Sequence, residues 1–169
     1  MIDPKSSWAE WFTRAAGERR YWLVKSEPEV FSFTDLLKAP RKTTGWDGVC
    51  NYTARNFLRE GMKSGDRAFF YHSNAEPSAI AGIVEIAREG YPDPTQFDRK
   101  HDGYDPKAKP DDPIWFQVDV RAVEPLRRPI PLGELRAKKE LKNMPLLRMA
   151  RLSVTPVRLA EWEVILGMV

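Results

Sequence analysis

The chain has one cysteine, Cys50, and two histidines, His72 and His101, among its 169 residues. A single thiol excludes an internal disulfide and any cysteine-built metal centre. The two histidines stand far apart in unlike contexts, and no His, Asp and Glu spacing suits zinc, so neither metal nor cofactor is expected. There is no glycine-rich phosphate loop and no nucleophile elbow, which sets aside the commonest nucleotide-hydrolysing and serine-hydrolase classes. No apolar run reaches the length of a membrane span, and no short apolar core with a cleavage site follows Met1. Together with the sparse cysteine usage, this makes a cytoplasmic protein the expectation.

What remains is an ordinary globular composition, 42% hydrophobic and 30% charged, in a length that suits one domain with a real core. The net charge is only +3, but its distribution is uneven. Between Leu126 and Arg151 stand eight basic residues, Arg127, Arg128, Arg136, Lys138, Lys139, Lys142, Arg148 and Arg151, against Glu134 and Glu140. Such a cluster is the footprint of a polyanion-binding surface, with nucleic acid the expected partner; a solvated helix face has the same composition.

Residues 1–20 read as an N-terminal extension, either disordered or a short helix docked through Trp8, Trp11 and Phe12, and residues 21–169 as the domain proper. The domain opens on Tyr-Trp-Leu-Val-Lys-Ser-Glu-Pro, Tyr21 to Pro28. Alternation places Trp22 and Val24 on one face of a strand and Tyr21, Leu23 and Lys25 on the other, and Pro28 ends it. Lys25 and Ser26 thus stand at a strand mouth. Ser32 and Asp35 form a capping-box pattern before a short helix, and Asn51 is the expected N-cap of a helix from Tyr52 to Glu60. Strands are expected at Arg67–His72, Ala79–Arg88 and Ile114–Val123, and a last helix at Leu159–Leu166 with Trp162 and Ile165 inward. The proline-rich stretch from Tyr91 to Pro113 reads as a long lid or mobile segment. This irregular mixture predicts a barrel-like α+β domain rather than a doubly wound sheet.

The chemistry is concentrated in aromatics beside short polar residues at element ends. Trp46, Tyr71 and Trp115 stand near Gly48, Asn51, Ser73 and Asn74, a pairing of flat faces with hydrogen-bonding edges that suits a planar heteroaromatic ligand. The competing reading is that these rings are core. Cys50 reads as a small apolar residue leading into a helix, and Asp111 and Asp112 as solvated loop acids.

Six ordered motifs then resemble the EVE-domain family, relatives of the YTH readers and of PUA and ASCH domains. They are Tyr21 to Pro28, Trp46 to Tyr52, Lys63 to Asp66, Phe70 to Asn74, Tyr91 to Pro94 and Met144 to Val154. The resemblance implies a PUA-like mixed β-barrel with flanking short helices, and a non-catalytic pocket for a modified base, 5-methylcytosine or an oxidised derivative first, in DNA or RNA. It implies that Lys25 and Ser26 line the pocket and Trp46 walls it, with Asn51 and Tyr71 as further contacts; Ser73 and Trp115 join the expected ligand contacts from the pairing of aromatics with short polar residues. Arg127, Arg128, Lys138, Lys139, Lys142, Arg148 and Arg151 would attract the nucleic-acid backbone. Cys50 departs from the arginine usual there. Two alternatives stand beside this reading: an ASCH-like amidohydrolase of acylated cytidine using Lys25, Ser26 and Glu27, and a protein-interaction module using the same pocket.

Overall fold

Strand β1, Tyr21–Ser26, divides the hydrophobic interior in two. Trp22 and Val24 enter one buried cluster with Phe33, Leu36, Phe57, Leu58 and Phe70. Leu23 enters the other with Phe69, Tyr71, Leu135, Trp162 and Ile165. This is the expected alternation, because successive side chains of a strand point to opposite faces.

The structure, a computed structural model, describes residues 8–169. After β1 come α1 (Phe33–Lys38), β2 (Thr43–Gly45), α2 (Tyr52–Asn56), β3 (Arg67–His72), β4 (Ala79–Pro92) and β5 (Phe116–Pro131). The chain closes with α3 (Leu132–Ala137), α4 (Pro145–Arg148), β6 (Val154–Val157) and α5 (Leu159–Leu166). The six strands form one sheet in the order β2-β5-β4-β3-β1-β6. Among the described residues only β1 and β3 run parallel. The expected α+β class, a mixed sheet with short flanking helices, is what forms; the barrel is not closed, since β2 and β6 end the sheet and no ladder joins them among the described residues.

Local chemistry sets the element ends. Ser32 Oγ accepts the Asp35 N–H at 3.0 Å and the Asp35 carboxylate accepts the Ser32 N–H at 2.8 Å, a complete capping box on α1. Asn51 Oδ1 accepts the Ala54 N–H at 3.0 Å and caps α2, which continues as a π turn over Phe57–Gly61. Strand β5 runs further than expected, through Pro125 and Pro129. Its partner β2 covers it only from Asp119 to Arg121, so beyond that point one edge is free and a proline without an N–H is tolerated.

The 91–113 stretch also differs from the lid expected of it. Gln96 is fully buried; its Nε2 donates to the carbonyls of Asp93 and Trp115 at 2.7 and 2.8 Å. Its Oε1 accepts the N–H groups of Ile114 and Trp115, both at 2.9 Å. One amide therefore ties the two ends of the excursion together. Within the extension, residues 1–7 lie outside the described residues; Ala9–Phe12 form a short 3-10 turn. Phe12 stacks on Phe57 at 5.8 Å, and Trp11 lies against Trp22 at 5.6 Å.

His72, at the end of β3, accepts the Phe33 N–H on Nε2 at 3.1 Å, and burial lowers its pKa below the ordinary histidine value. The folded state therefore binds fewer protons than the unfolded chain just below about pH 6.5. The stability this contact contributes is present above that pH and lost as pH falls through the lowered folded value. In thermal melts between about pH 8 and pH 5, the parent should lose more Tm than His72→Gln, which keeps an acceptor but takes up no proton there. Equal slopes would remove His72 from the account.

Candidate functional site

The open seam of the sheet is where a cavity forms. Thr44 and Gly45 of β2 line it from one side, Ser153 just before β6 from the other, and Lys25 and Ser26 at the end of β1 between them. Val30, Phe31, Trp46, Asp47, Gly48 and Val49 complete a space of about 400 Å³.

The wall that carries Trp46 is held from behind. Its N–H donates to the Val118 carbonyl at 2.8 Å, and its ring, 7% exposed, meets Phe70 edge to face at 5.3 Å. Gly48 follows with φ +74°, a left-handed turn that favours glycine, and its N–H donates to the buried Asp93 carboxylate at 2.9 Å. The same carboxylate accepts the N–H and hydroxyl of Thr95. Beneath Gly45 lies the Gln117 amide, into which any Cβ would collide. Trp46 and the loop that follows it are thus held in place by backbone and side-chain hydrogen bonds.

Ser26 Oγ donates to the Phe31 carbonyl at 2.6 Å, and the Lys25 N–H donates to the Ser153 carbonyl at 2.9 Å, joining β1 to the chain entering β6. Lys25 Nζ donates to the Ala150 carbonyl at 2.9 Å, and burial pulls its ammonium below the usual lysine pKa. Asp47 is raised above the ordinary carboxylate value, first by burial and then by the nearby Asp93 charge.

A second cavity of about 420 Å³ shares Lys25, Ser26 and Ser153. Tyr71, Ser73, Arg136 and Arg151 are among the residues that line it. Tyr71 is held above the ordinary phenol pKa by burial, against the lowering effect of its bond to Ser78. Glu27, also on this lining, accepts from Asn74 Nδ2 at 2.7 Å.

Five of the seven expected ligand contacts therefore meet around the end of β1: Lys25 and Ser26 in both cavities, Trp46 in the first, Tyr71 and Ser73 in the second. Asn51 and Trp115 line neither. Asn51 spends its carbonyl on capping α2. Trp115 is buried, lies 5.0 Å from Tyr52 and donates its Nε1–H to Asp105 at 2.9 Å.

Of the basic residues, Arg151 reaches the second cavity, and with Arg148 it lines an adjoining groove beside Trp8 and Thr53. Arg127, Lys138, Lys139 and Lys142 are exposed. Arg128 is paired with Glu134 at 2.9 Å. Cys50 is exposed as a residue rather than packed in the core; partial burial of its thiol, then the Asp93 and Asp105 charges, raise its pKa, which works against a reactive thiolate.

Asp47 and Ser153 also line the cavity, beyond the expected contacts, and lie inside the Trp46 to Tyr52 and Met144 to Val154 motifs. Val30 and Phe31 carried no pattern that could have revealed them.

These features define an α+β domain with a cavity of mixed polar and apolar lining at the seam of its open sheet. The chain belongs to the EVE domain family, whose model matches residues 20–168. Thymocyte nuclear protein 1 of Homo sapiens is 46% identical over 165 residues, covering 88% of this chain and 73% of the relative. The solved structure of human THYN1 protein in complex with 5-methylcytosine-containing DNA superposes with a TM-score of 0.85 at 46% identity, over 88% of this chain and 96% of that one. The YTH domain of Zygosaccharomyces rouxii MRB1 protein, solved with N6-methyladenosine RNA, matches at TM-score 0.50 and 16% identity, over 92% and 87% of the two chains. At that identity the likeness concerns the fold alone.

Proposed function

We propose that this protein is a non-catalytic reader of a modified base in nucleic acid, and that 5-methylcytosine in DNA enters the first cavity beside Trp46. The observation that carries this is the juxtaposition of the Trp46 wall with Ser26, Lys25 and Asp47 around about 400 Å³. A planar base can stack on such a wall while its edge meets hydrogen-bonding groups. The human relative, solved with 5-methylcytosine-containing DNA, supports the choice of base. The cations Arg136 and Arg151 on the adjoining cavity suit the neighbouring phosphates. The non-catalytic reading is favoured because Lys25 Nζ is held by the Ala150 carbonyl and Glu27 by Asn74, each tied to a different structural partner.

The test is fluorescence anisotropy with matched labelled DNA carrying cytosine, 5-methylcytosine, 5-hydroxymethylcytosine or N6-methyladenine, at two salt concentrations. One buried methyl is worth about 0.8 kcal/mol, so 5-methylcytosine should bind about fourfold tighter than cytosine. Equal affinity for all four probes would sink the reading. Arg136→Ala and Arg151→Ala should weaken methylated and plain DNA alike, each lowering the salt slope by about 1. A loss confined to the methylated probe would mean that these arginines touch the base and not the backbone.

A further inference from the structure

We infer that Val30 is an apolar wedge that enters the base stack of a duplex when the modified base moves into the cavity. This rests on the base-reading function proposed above and extends it to double-stranded nucleic acid.

Val30 is 76% exposed and lies on the rim of the first cavity. A lone exposed aliphatic residue is ordinary on a protein surface. Two further facts set this one apart. Its neighbour Phe31 lines the same cavity and packs against the inner hydrophobic cluster, so the tip that carries Val30 is anchored immediately behind it.

The second fact is that the turn is braced at each side. The N–H groups of Val30 and Phe31 both donate to the Glu27 carbonyl, at 3.0 and 2.9 Å. Ser26 Oγ holds the Phe31 carbonyl at 2.6 Å, and Asn74 holds the Glu27 carboxylate at 2.7 Å. An apolar side chain presented on a braced turn costs little further ordering when it is buried against bases.

The neighbouring charges agree. Glu29, next to Val30, is an exposed carboxylate. It disfavours a seat for this turn against phosphates, so the tip meets the stack rather than the backbone. Extracting a base from a duplex costs unpairing and unstacking and leaves a gap, and apolar side chains that occupy opened base steps offset part of that cost. A single strand has no paired gap to fill.

The experiment compares the parent with Val30→Ser and Val30→Leu on 5-methylcytosine DNA, single-stranded and duplex, with unmodified controls. A 2-aminopurine beside the modified base reports unstacking. Because Val30 is exposed, neither change threatens the fold. Val30→Ser should weaken duplex binding about tenfold, from the lost burial of the side chain, and reduce the 2-aminopurine signal. Binding to the modified single strand should fall by clearly less than binding to the duplex, and Val30→Leu should restore the duplex.

An unchanged duplex affinity would overturn the wedge. So would an equal loss on both probes, which would make Val30 a contact of the bound base itself, or a parent that captures the modified base only from a single strand. In these three cases the base-reading function stands. A parent indifferent to the methyl group on both probes fails at the earlier step, and the wedge fails with it.

Discussion

Replacing Asp66 by alanine is expected to lower folding stability by about 3–5 kcal/mol, the cost of breaking a buried ion pair from one side. Asp66 is 1% exposed and closes the Lys63-Ser64-Gly65-Asp66 turn. Arg14 donates to it from both terminal guanidinium nitrogens, at 2.6 and 2.8 Å. Trp22 Nε1 donates to it at 2.9 Å, and the backbone N–H groups of Arg20 and Lys63 at 3.1 and 3.0 Å. The carboxylate thereby ties the extension to β1 and to the turn before β3. Alanine would leave a half-buried guanidinium and a buried indole N–H without their acceptor. In a domain of this size the loss corresponds to a Tm lower by roughly 6–20 °C. Urea denaturation followed by circular dichroism measures it; a midpoint indistinguishable from the parent would show that Asp66 is not the tie described.

Trp46→Ala is expected to weaken binding of the modified oligonucleotide by about 1–3 kcal/mol, roughly 5- to 150-fold, if the indole is the face on which the base stacks. The same ring is packed edge to face on Phe70, so alanine also removes core contacts, and a Trp→Ala change in a core costs about 3–5 kcal/mol of stability. The two effects separate with Trp46→Phe, which keeps an aromatic face and most of the packing. Affinity should fall in the order parent, phenylalanine, alanine, measured by anisotropy at a temperature where melts show each variant folded. A folded alanine variant with parental affinity for the methylated probe would remove Trp46 from the site.

Period-two patterning made β1 legible, because Trp22 and Val24 had to share one face and Leu23 the other; which face of β3 joins which is set by the sheet, where Phe70 falls with Trp22 and Phe69 with Leu23. Capping chemistry did the same for α1 and α2, where Ser32, Asp35 and Asn51 act within a turn of their own positions. The site was legible only in fragments. Lys25 and Ser26 were visible as a strand end, and Trp46 and Tyr71 as aromatics near element ends. Which ends share a mouth depends on how the sheet curls, and no local pattern encodes that. Trp115 has the same sequence character as Trp46, yet its indole N–H is taken by Asp105 and its ring lies by Tyr52. The long 91–113 stretch misled for a related reason: its prolines suggested a lid, while one buried amide, Gln96, does the tying.

The missing ladder between β2 and β6 has an evolutionary consequence. A closed barrel fixes its strand spacing at roughly 4.8 Å all the way round, and a change of bore requires a change of register. Here the cavity between the two edge strands is lined by Thr44 and Gly45 of β2 and by Ser153, just before β6. Residues on either lip can grow, shrink or change polarity without breaking a backbone pair. One scaffold can therefore change which ligand it admits while its folding core stays the same.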